Sequence, residues 1–252
     1  MRYAIIGVEG RHDQAFVGRV LKKLLGFKNF KGLESQLEPF WRKFIPTYPK
    51  KGNLYKGLNM PSILFTESLS VAIYEGEGSN LPTNLNDILS ANPEYKTDIA
   101  AFGIVADSDK KHPDIVARDY CQQFQNDFPG FPNQAGICQE GPPRTGIYIL
   151  PDNQQQGVLD NLLCECGSVV YPEVMNCAIA YLNGLSEEHK NNWGPFDYQK
   201  ALVATVVSVL KPGKTNTTSI ADNNWVSEQT EQEVPALANF MKFLMDLLEL
   251  TS

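Results

Sequence analysis

Two short stretches hold carboxylates that could do chemistry, and a third is a glycine-rich turn. The apolar run Ile99 to Ala106 ends in Asp107-Ser108-Asp109. Residues two apart on a strand share a face. An extended backbone through this point would aim Asp107 and Asp109 the same way and Ser108 the other. Two adjacent carboxylates repel each other unless a divalent cation lies between them. The alternative is an acidic turn balanced by Lys110 and Lys111. The second stretch is Glu9-Gly10, directly after the apolar run that ends at Val8, with Asp13 four residues beyond Glu9. An acidic group there also suits a helix dipole without doing any chemistry. The third is Glu75-Gly-Glu-Gly78, a glycine-rich turn after the run Leu69 to Tyr74.

The surrounding sequence says what must position these groups. Residues 99–106 read as a strand buried on both faces, as in a parallel sheet, residues 2–8 as a first strand and 69–74 as another core strand. A helix follows the first, with Phe16, Val17, Val20, Leu21, Leu24 and Leu25 on one stripe and Gly26 as its cap. Ile115, Val116, Tyr120 and Phe124 mark a helix that starts at Pro113. Strands are expected at 136–138 and 145–150, and helices from Val158, then over about 174–185, 197–211 and 235–250. Within 27–69, Leu33, Leu37, Phe40, Trp41, Phe44 and Ile45 keep helical spacing up to Pro46, and 62–66 reads as a short edge strand. Residues 212–218 read as a polar loop. Alternating strand and helix gives an α/β fold, a mostly parallel sheet flanked by helices with a helical C-terminal extension. Ligands in such sheets bind beyond the carboxyl ends of the strands, where Glu9, Gly76, Gly78, Asp107 and Asp109 all fall.

Composition narrows the class. The chain has 252 residues, 42% hydrophobic and 20% charged, as an ordinary globular protein does. No apolar run is long enough to span a bilayer, and the N-terminus lacks the core and cleavage site of a signal peptide, so a cytoplasmic protein without membrane contact is expected. Five cysteines show no zinc-site spacing, and the lone Cys164-Glu165-Cys166 reads as helix packing. Gly213-Lys214-Thr215 lacks the preceding glycine and strand of a P-loop. The net charge of −7 argues against a generally basic nucleic-acid binder. Residues 1–56 nevertheless hold 12 Lys and Arg against 4 Asp and Glu. That asymmetry makes the segment 19–56 a candidate surface for DNA or RNA.

Val8-Glu9-Gly10 with Asp13, the glycine-rich turn, and Asp107-Ser-Asp109 together resemble a Toprim domain, nearest to the branch of the OLD (overcoming lysogenization defect) nucleases. Arg144-Thr-Gly-Ile-Tyr-Ile-Leu-Pro-Asp-Asn153, Gly157-Val-Leu-Asp-Asn-Leu-Leu163, Lys200-Ala201 and Trp225 extend the likeness to an uncharacterised bacterial Toprim-like family. It covers the chain outside 27–69. The resemblance implies a Toprim-type, Rossmann-like core over 1–170 with an insertion at 27–69, and a helical extension over 171–252. It also implies a nuclease, a hydrolase that uses one or two Mg²⁺ or Mn²⁺ ions to break phosphodiester bonds. Its metal residues would be Glu9, Asp13, Asp107, Asp109 and Asp160, with Glu9 and Lys200 catalytic. Asp160 stands where that branch has Glu, one methylene longer. His12 reads as an exposed early-helix histidine. Two other functions fit the same residues: phosphoryl transfer on a small nucleotide, and a non-catalytic subunit beside an ATPase partner, because OLD-like domains work with ATPases.

Overall fold

The structure, a computed structural model, describes residues 1–48, 52 and 58–250. Seven strands form one sheet: β1 (Arg2–Val8), β2 (Lys28–Asn29), β3 (Ser62–Phe65), β4 (Leu69–Glu75), β5 (Ala101–Asp107), β6 (Cys138–Gln139) and β7 (Arg144–Leu150). Their spatial order is β2-β3-β4-β1-β5-β7-β6. The central four, β4-β1-β5-β7, run parallel, and antiparallel strands finish both sides. The fold is thus the mixed α/β architecture expected, a mostly parallel sheet flanked by helices.

The central strands are apolar throughout because both faces are covered. Ala4, Ile6, Val8, Val71, Ile73, Val105 and Tyr148 belong to one core. The alternate residues Ile5, Ala72, Tyr74, Phe102, Ile104 and Ile147 belong to the other. The second face is closed by α2 (Leu81–Ala91), α3 (Glu94–Thr97) and α4 (Pro113–Phe124). The first is closed by α1 (Arg11–Lys23) and by the C-terminal helices: α5 (Leu159–Val170), α6 (Pro172–Asn183), α7 (Asp197–Leu210), α8 (Asn216–Asp222), α9 (Glu228–Glu233) and α10 (Pro235–Leu248). α10 lies on β5 and β7 and buries Leu237, Phe240, Leu244, Leu247 and Leu248. Each such side chain is worth roughly 1.5–3 kcal/mol against exposure, so α10 is a wall of the core. Among the described residues no helix is long and apolar enough to cross a membrane.

Two segments differ from the sequence reading. The helix expected across 33–45 is two 3₁₀ turns, Glu34–Gln36 and Pro39–Phe44. Leu37, Trp41 and Phe44 are buried as the spacing required. Pro39 and Pro46 bracket Trp41 and Phe44 too closely for a longer helix, and Trp41 stacks on Tyr95 and meets Tyr3 edge-on, while Phe40 and Phe44 meet Tyr95 edge-on. Trp41 Nε1 donates to Ser70 Oγ at 2.8 Å, tying this plug to β4. The strand at 62–66 is not at the edge, because β2 pairs on its far side. The polar loop 212–218 already contains the start of α8, whose cap is Thr215 accepting from the Thr218 N–H.

Gly103 on β5 sets how closely α10 approaches. A Cβ there would sit 2.5 Å from Leu247 Cδ2, and Leu247 is itself fully buried. Gly103→Val is therefore expected to destabilise the protein by about 1–3 kcal/mol through overpacking. A urea midpoint that falls with an unchanged slope would show it; an unchanged midpoint would mean that α10 can shift freely.

Candidate functional site

The topology singles out one place on the sheet rim. The chain leaves β1 toward β4 on one side, and leaves β5 toward β7 on the other. The two connections diverge, so a crevice opens between the carboxyl ends of β1 and β5, the position where open α/β sheets bind ligands. Glu9 follows β1 directly, and Asp107 is the last residue of β5. Val8 is paired with Val105, which brings both carboxylates to the same crevice.

Each carboxylate is held by a specific donor. Tyr120 on α4 donates its hydroxyl to Glu9 Oε1 at 2.8 Å. The Leu159 N–H, at the start of α5, donates to Asp107 Oδ1 at 2.8 Å. The Gly10 N–H donates to Asp13 Oδ2 at 2.8 Å. Asp13 and Asp160 are buried, each within the first turn of its helix. Glu75, which ends β4 beside Val8, is buried as well.

The strand geometry does not persist through Asp107-Ser-Asp109. Asp109 has φ +48°, in the left-handed region, so it does not point along with Asp107 as an extended chain would require. Ser108 turns inward, donating to the Gln155 carbonyl at 3.1 Å and accepting from the Gly157 N–H at 2.9 Å. The turn is fixed because the loop before α5 needs those partners. It leaves Asp109 exposed on the rim, and Asp107 half-buried below it. The glycine-rich turn after β4 has a packing reason: a Cβ on Gly76 would lie 2.4 Å from Leu81 Cα, where α2 begins.

Grouping so many acids raises their proton affinity. Burial pushes Asp13 up to about 7, and the charges of Glu9, Asp160 and Glu75 add to it, against the Gly10 N–H. Burial raises Asp107 well above the usual carboxylate range, helped by Asp13 and Glu9. Burial also raises Glu9, with hydrogen bonds from Tyr120 and the Asp107 backbone opposing it. Asp160 is raised by burial and drawn back by the nearby His12 and Lys200. His12, read from sequence as an exposed helix residue, is half-buried and faces this acid.

Two hollows meet at the cluster. A cleft of about 770 Å³ is lined by Glu9, Asp107, Asp109, Lys110, Tyr120 and Lys200, among others. A recess of about 230 Å³ is lined by His12, Asp13, Asp107, Asp160 and Lys200. Asp107 and Lys200 border both. All six residues singled out from the sequence therefore lie around one crevice. Sequence reasoning missed Glu75 and Tyr120. Glu75 ends an apolar strand, in register with Val8 just before Glu9, and its place as the first charge after the run was a signal there to find. Tyr120 sits on the buried stripe of α4 like any core residue, and only the packing of α4 brings it to Glu9.

The donor set is all-oxygen and hard, the chemistry that Mg²⁺ or Mn²⁺ takes, and the raised proton affinities of Glu9, Asp13 and Asp107 are those of buried carboxylates beside like charges. Glu9, Asp107 and Asp109 are the donors on the cleft, and Asp13 and Asp160 those in the recess. Among the described residues no three Asp, Glu, His or Cys side chains stand ready around one ion; Glu9, Asp13 and Asp107 each turn an oxygen to Tyr120 or to a backbone N–H. The basic segment 19–56 is placed differently. α1 starts at the crevice and runs 13 residues away from it, roughly 20 Å at 1.5 Å per residue. Arg19, Lys22 and Lys23 thus lie toward the opposite edge, and Lys43 pairs with Glu94 at 2.9 Å ahead of β5. Lys50, Lys51 and Lys56 lie outside the described residues.

Comparison with known proteins bears on the whole chain. The family model "Protein of unknown function (DUF3226)" matches residues 3–249. No curated protein matches. The crystal structure of the hypothetical protein PH0156 from Pyrococcus horikoshii OT3 is similar, with a TM-score of 0.57 and 14% identity over 98% of this chain and 95% of that one. At that identity the likeness concerns the fold alone. Neither match is named for Toprim or OLD proteins. A family model that spans nearly every residue decides membership: this chain belongs to the DUF3226 family.

Proposed function

We propose that the protein is a divalent-metal-dependent nuclease of the Toprim and OLD type, hydrolysing phosphodiester bonds in DNA or RNA. One observation carries the reading: mutually repelling carboxylates, Glu9, Asp107, Asp13 and Asp160, are gathered at the crevice where the sheet connections diverge. Burying such a group without a counter-charge costs stability, and an ion between the carboxylates offsets that cost. Glu9, Asp107 and Asp109 would hold one Mg²⁺ or Mn²⁺, and Asp13 with Asp160 a second. The ion supplies charge neutralisation and Lewis acidity at the phosphate. The chain's own residues do the rest. Tyr120 fixes the Glu9 carboxylate, and burial raises its proton affinity above the usual carboxylate level, the direction a proton-transferring carboxylate needs. Lys200, exposed between cleft and recess, meets the developing negative charge. Lys110 and Lys200 are nearer to the reacting phosphate than the described part of the 19–56 segment. None of that part lines the cleft.

The test is hydrolysis of labelled DNA and RNA oligonucleotides with Mg²⁺ or Mn²⁺, against the same protein in EDTA. Cleavage only with metal is expected, and no cleavage in any condition would end the reading. Tyr120→Phe removes only the donor to Glu9. It should weaken Mn²⁺ binding or rate by roughly 10–100-fold, as loss of a partner that orients a ligand does. Wild-type behaviour would show that Glu9 needs no positioning.

A further inference from the structure

The cleft contains one aromatic side chain that the proposed hydrolysis does not use. Phe196 caps the N-terminus of α7 and lines the cleft together with Pro195, Lys200 and Glu9. It is half-buried and makes no ring contact with another aromatic among the described residues, unlike the paired rings of both cores. Phe196 and Lys200 are four residues apart, so they sit side by side on one helical face. The wall opposite is α4, with Tyr120 and Gln123, and the beginning of α2, with Pro82 and Thr83. Glu9 and Asp107 lie on the floor between these walls.

We infer that the cleft takes a single strand of nucleic acid, with one base stacked on Phe196 and the adjoining phosphate over the carboxylates, beside Lys200. The inference rests on the nuclease reading for what happens to that phosphate, and on the cleft alone for what enters it. Two observations carry it. Glu9 and Asp107 are half-buried below the rim on which Asp109 is exposed, so a phosphate reaches them only if its strand leaves the surface of a duplex. The hollow, about 770 Å³, is the size that encloses one ligand of roughly drug dimensions, enough for one or two nucleotides but not for a two-stranded rod. An aromatic side chain beside a cation, as Phe196 and Lys200 are on the cleft lining, is the pairing by which proteins hold unpaired bases without reading their sequence. The cleft also carries Asp119 and Asp197, and Lys111 is paired with Asp119 at 2.7 Å. The polyanion should therefore bind weakly until a cation offsets the acids.

Fluorescence anisotropy of labelled 12-nucleotide single strands and of a matched hairpin duplex, measured in Ca²⁺, reads binding without relying on turnover. The single strand should bind at least about tenfold tighter than the duplex. Phe196→Ala should lose roughly 5–100-fold, the range of base–aromatic stacking. Phe196→Leu, which keeps an apolar side chain without a π-face, should lose nearly as much, and Phe196→Trp should restore binding. An abasic residue in the strand should weaken wild type but not Phe196→Ala. Equal binding of duplex and single strand, or unchanged binding in both Phe196→Ala and Phe196→Leu, would overturn the inference. Binding as expected with no hydrolysis in Mg²⁺ or Mn²⁺ would keep the strand site and end the nuclease reading. Hydrolysis of duplex that ignores Phe196 would do the reverse.

Discussion

Asp107→Ala is expected to lower metal-dependent phosphodiester hydrolysis by at least about a thousandfold, several kcal/mol of transition-state stabilisation at 1.36 kcal/mol per tenfold. The reason is position. Asp107 ends the central strand β5, borders both the cleft and the recess, and feels the charges of Asp13 and Glu9. A cation on either side meets this carboxylate. Asp109 borders only the cleft, and Asp160 only the recess. Asp109→Ala and Asp160→Ala should therefore cost less, roughly 10–100-fold each. Folding has to be separated from chemistry. Asp107→Ala leaves the Leu159 N–H without its acceptor, a loss of about 1–3 kcal/mol, but it also removes a repelling buried charge. Asp107→Asn keeps an acceptor and should fold at least as well as wild type in EDTA while losing the same activity. Single-turnover rates at saturating Mn²⁺, with urea midpoints for every variant, check the ranking. If Asp107→Asn cleaves as wild type does, the crevice is not the active site.

How far this site could be read from the sequence depends on which physical rule placed each residue. Glu9 and Asp107 were legible because a doubly buried parallel strand is a continuous apolar run, and the first charge after it marks the strand's carboxyl end. The register of β1 against β4 and β5 then brings those ends together. Glu75 was equally accessible by that rule, but the glycines around it drew attention to the turn. Asp160 and Lys200 stood out only by resemblance, since one acid or lysine on an amphipathic helix looks solvated. What placed them is the packing of α5 and α7 on the first face, which is tertiary. Asp109 shows the opposite error. Strand alternation was extrapolated two residues past Asp107, into a turn that Ser108 and Gly157 set by hydrogen bonding. The 33–45 segment failed similarly: its spacing picked out the buried Leu37, Trp41 and Phe44 but also the exposed Leu33, and could not distinguish a helix from two 3₁₀ turns, the second of which starts at Pro39.

In EDTA, the metal-free protein should lose stability as pH rises from about 4 to about 7, and Asp13 should be one source of that loss. The sign follows from proton counting. Burial raises the folded-state value of Asp13 to about 7 from 3.8. Between those limits the folded protein holds a proton that the unfolded chain has released, so stability falls with pH across that window. Below it both states are protonated and the penalty vanishes; above it the penalty is complete. The separation corresponds to an upper bound on the order of 4 kcal/mol, shared with Asp107 and Glu9 because they repel the same charge. Glu94 and Asp222 are drawn down by Lys43 and Lys211 and change in the opposite direction, but they lie at the surface, where ion pairs count for little. Asp13→Asn isolates the effect, because its amide oxygen still accepts from the Gly10 N–H. The variant should be more stable than wild type at pH 8 in EDTA, and the gap should close by pH 4. Mn²⁺ should close it from the other side, stabilising wild type at pH 8 far more than the variant, since a ligand that binds only the folded state adds stability by mass action. Denaturant melts of both proteins at pH 4, 6 and 8, with EDTA or Mn²⁺, measure all of this. A gap that does not change with pH would mean that Asp13 ionises normally and that the crevice has no stored repulsion for a cation to relieve.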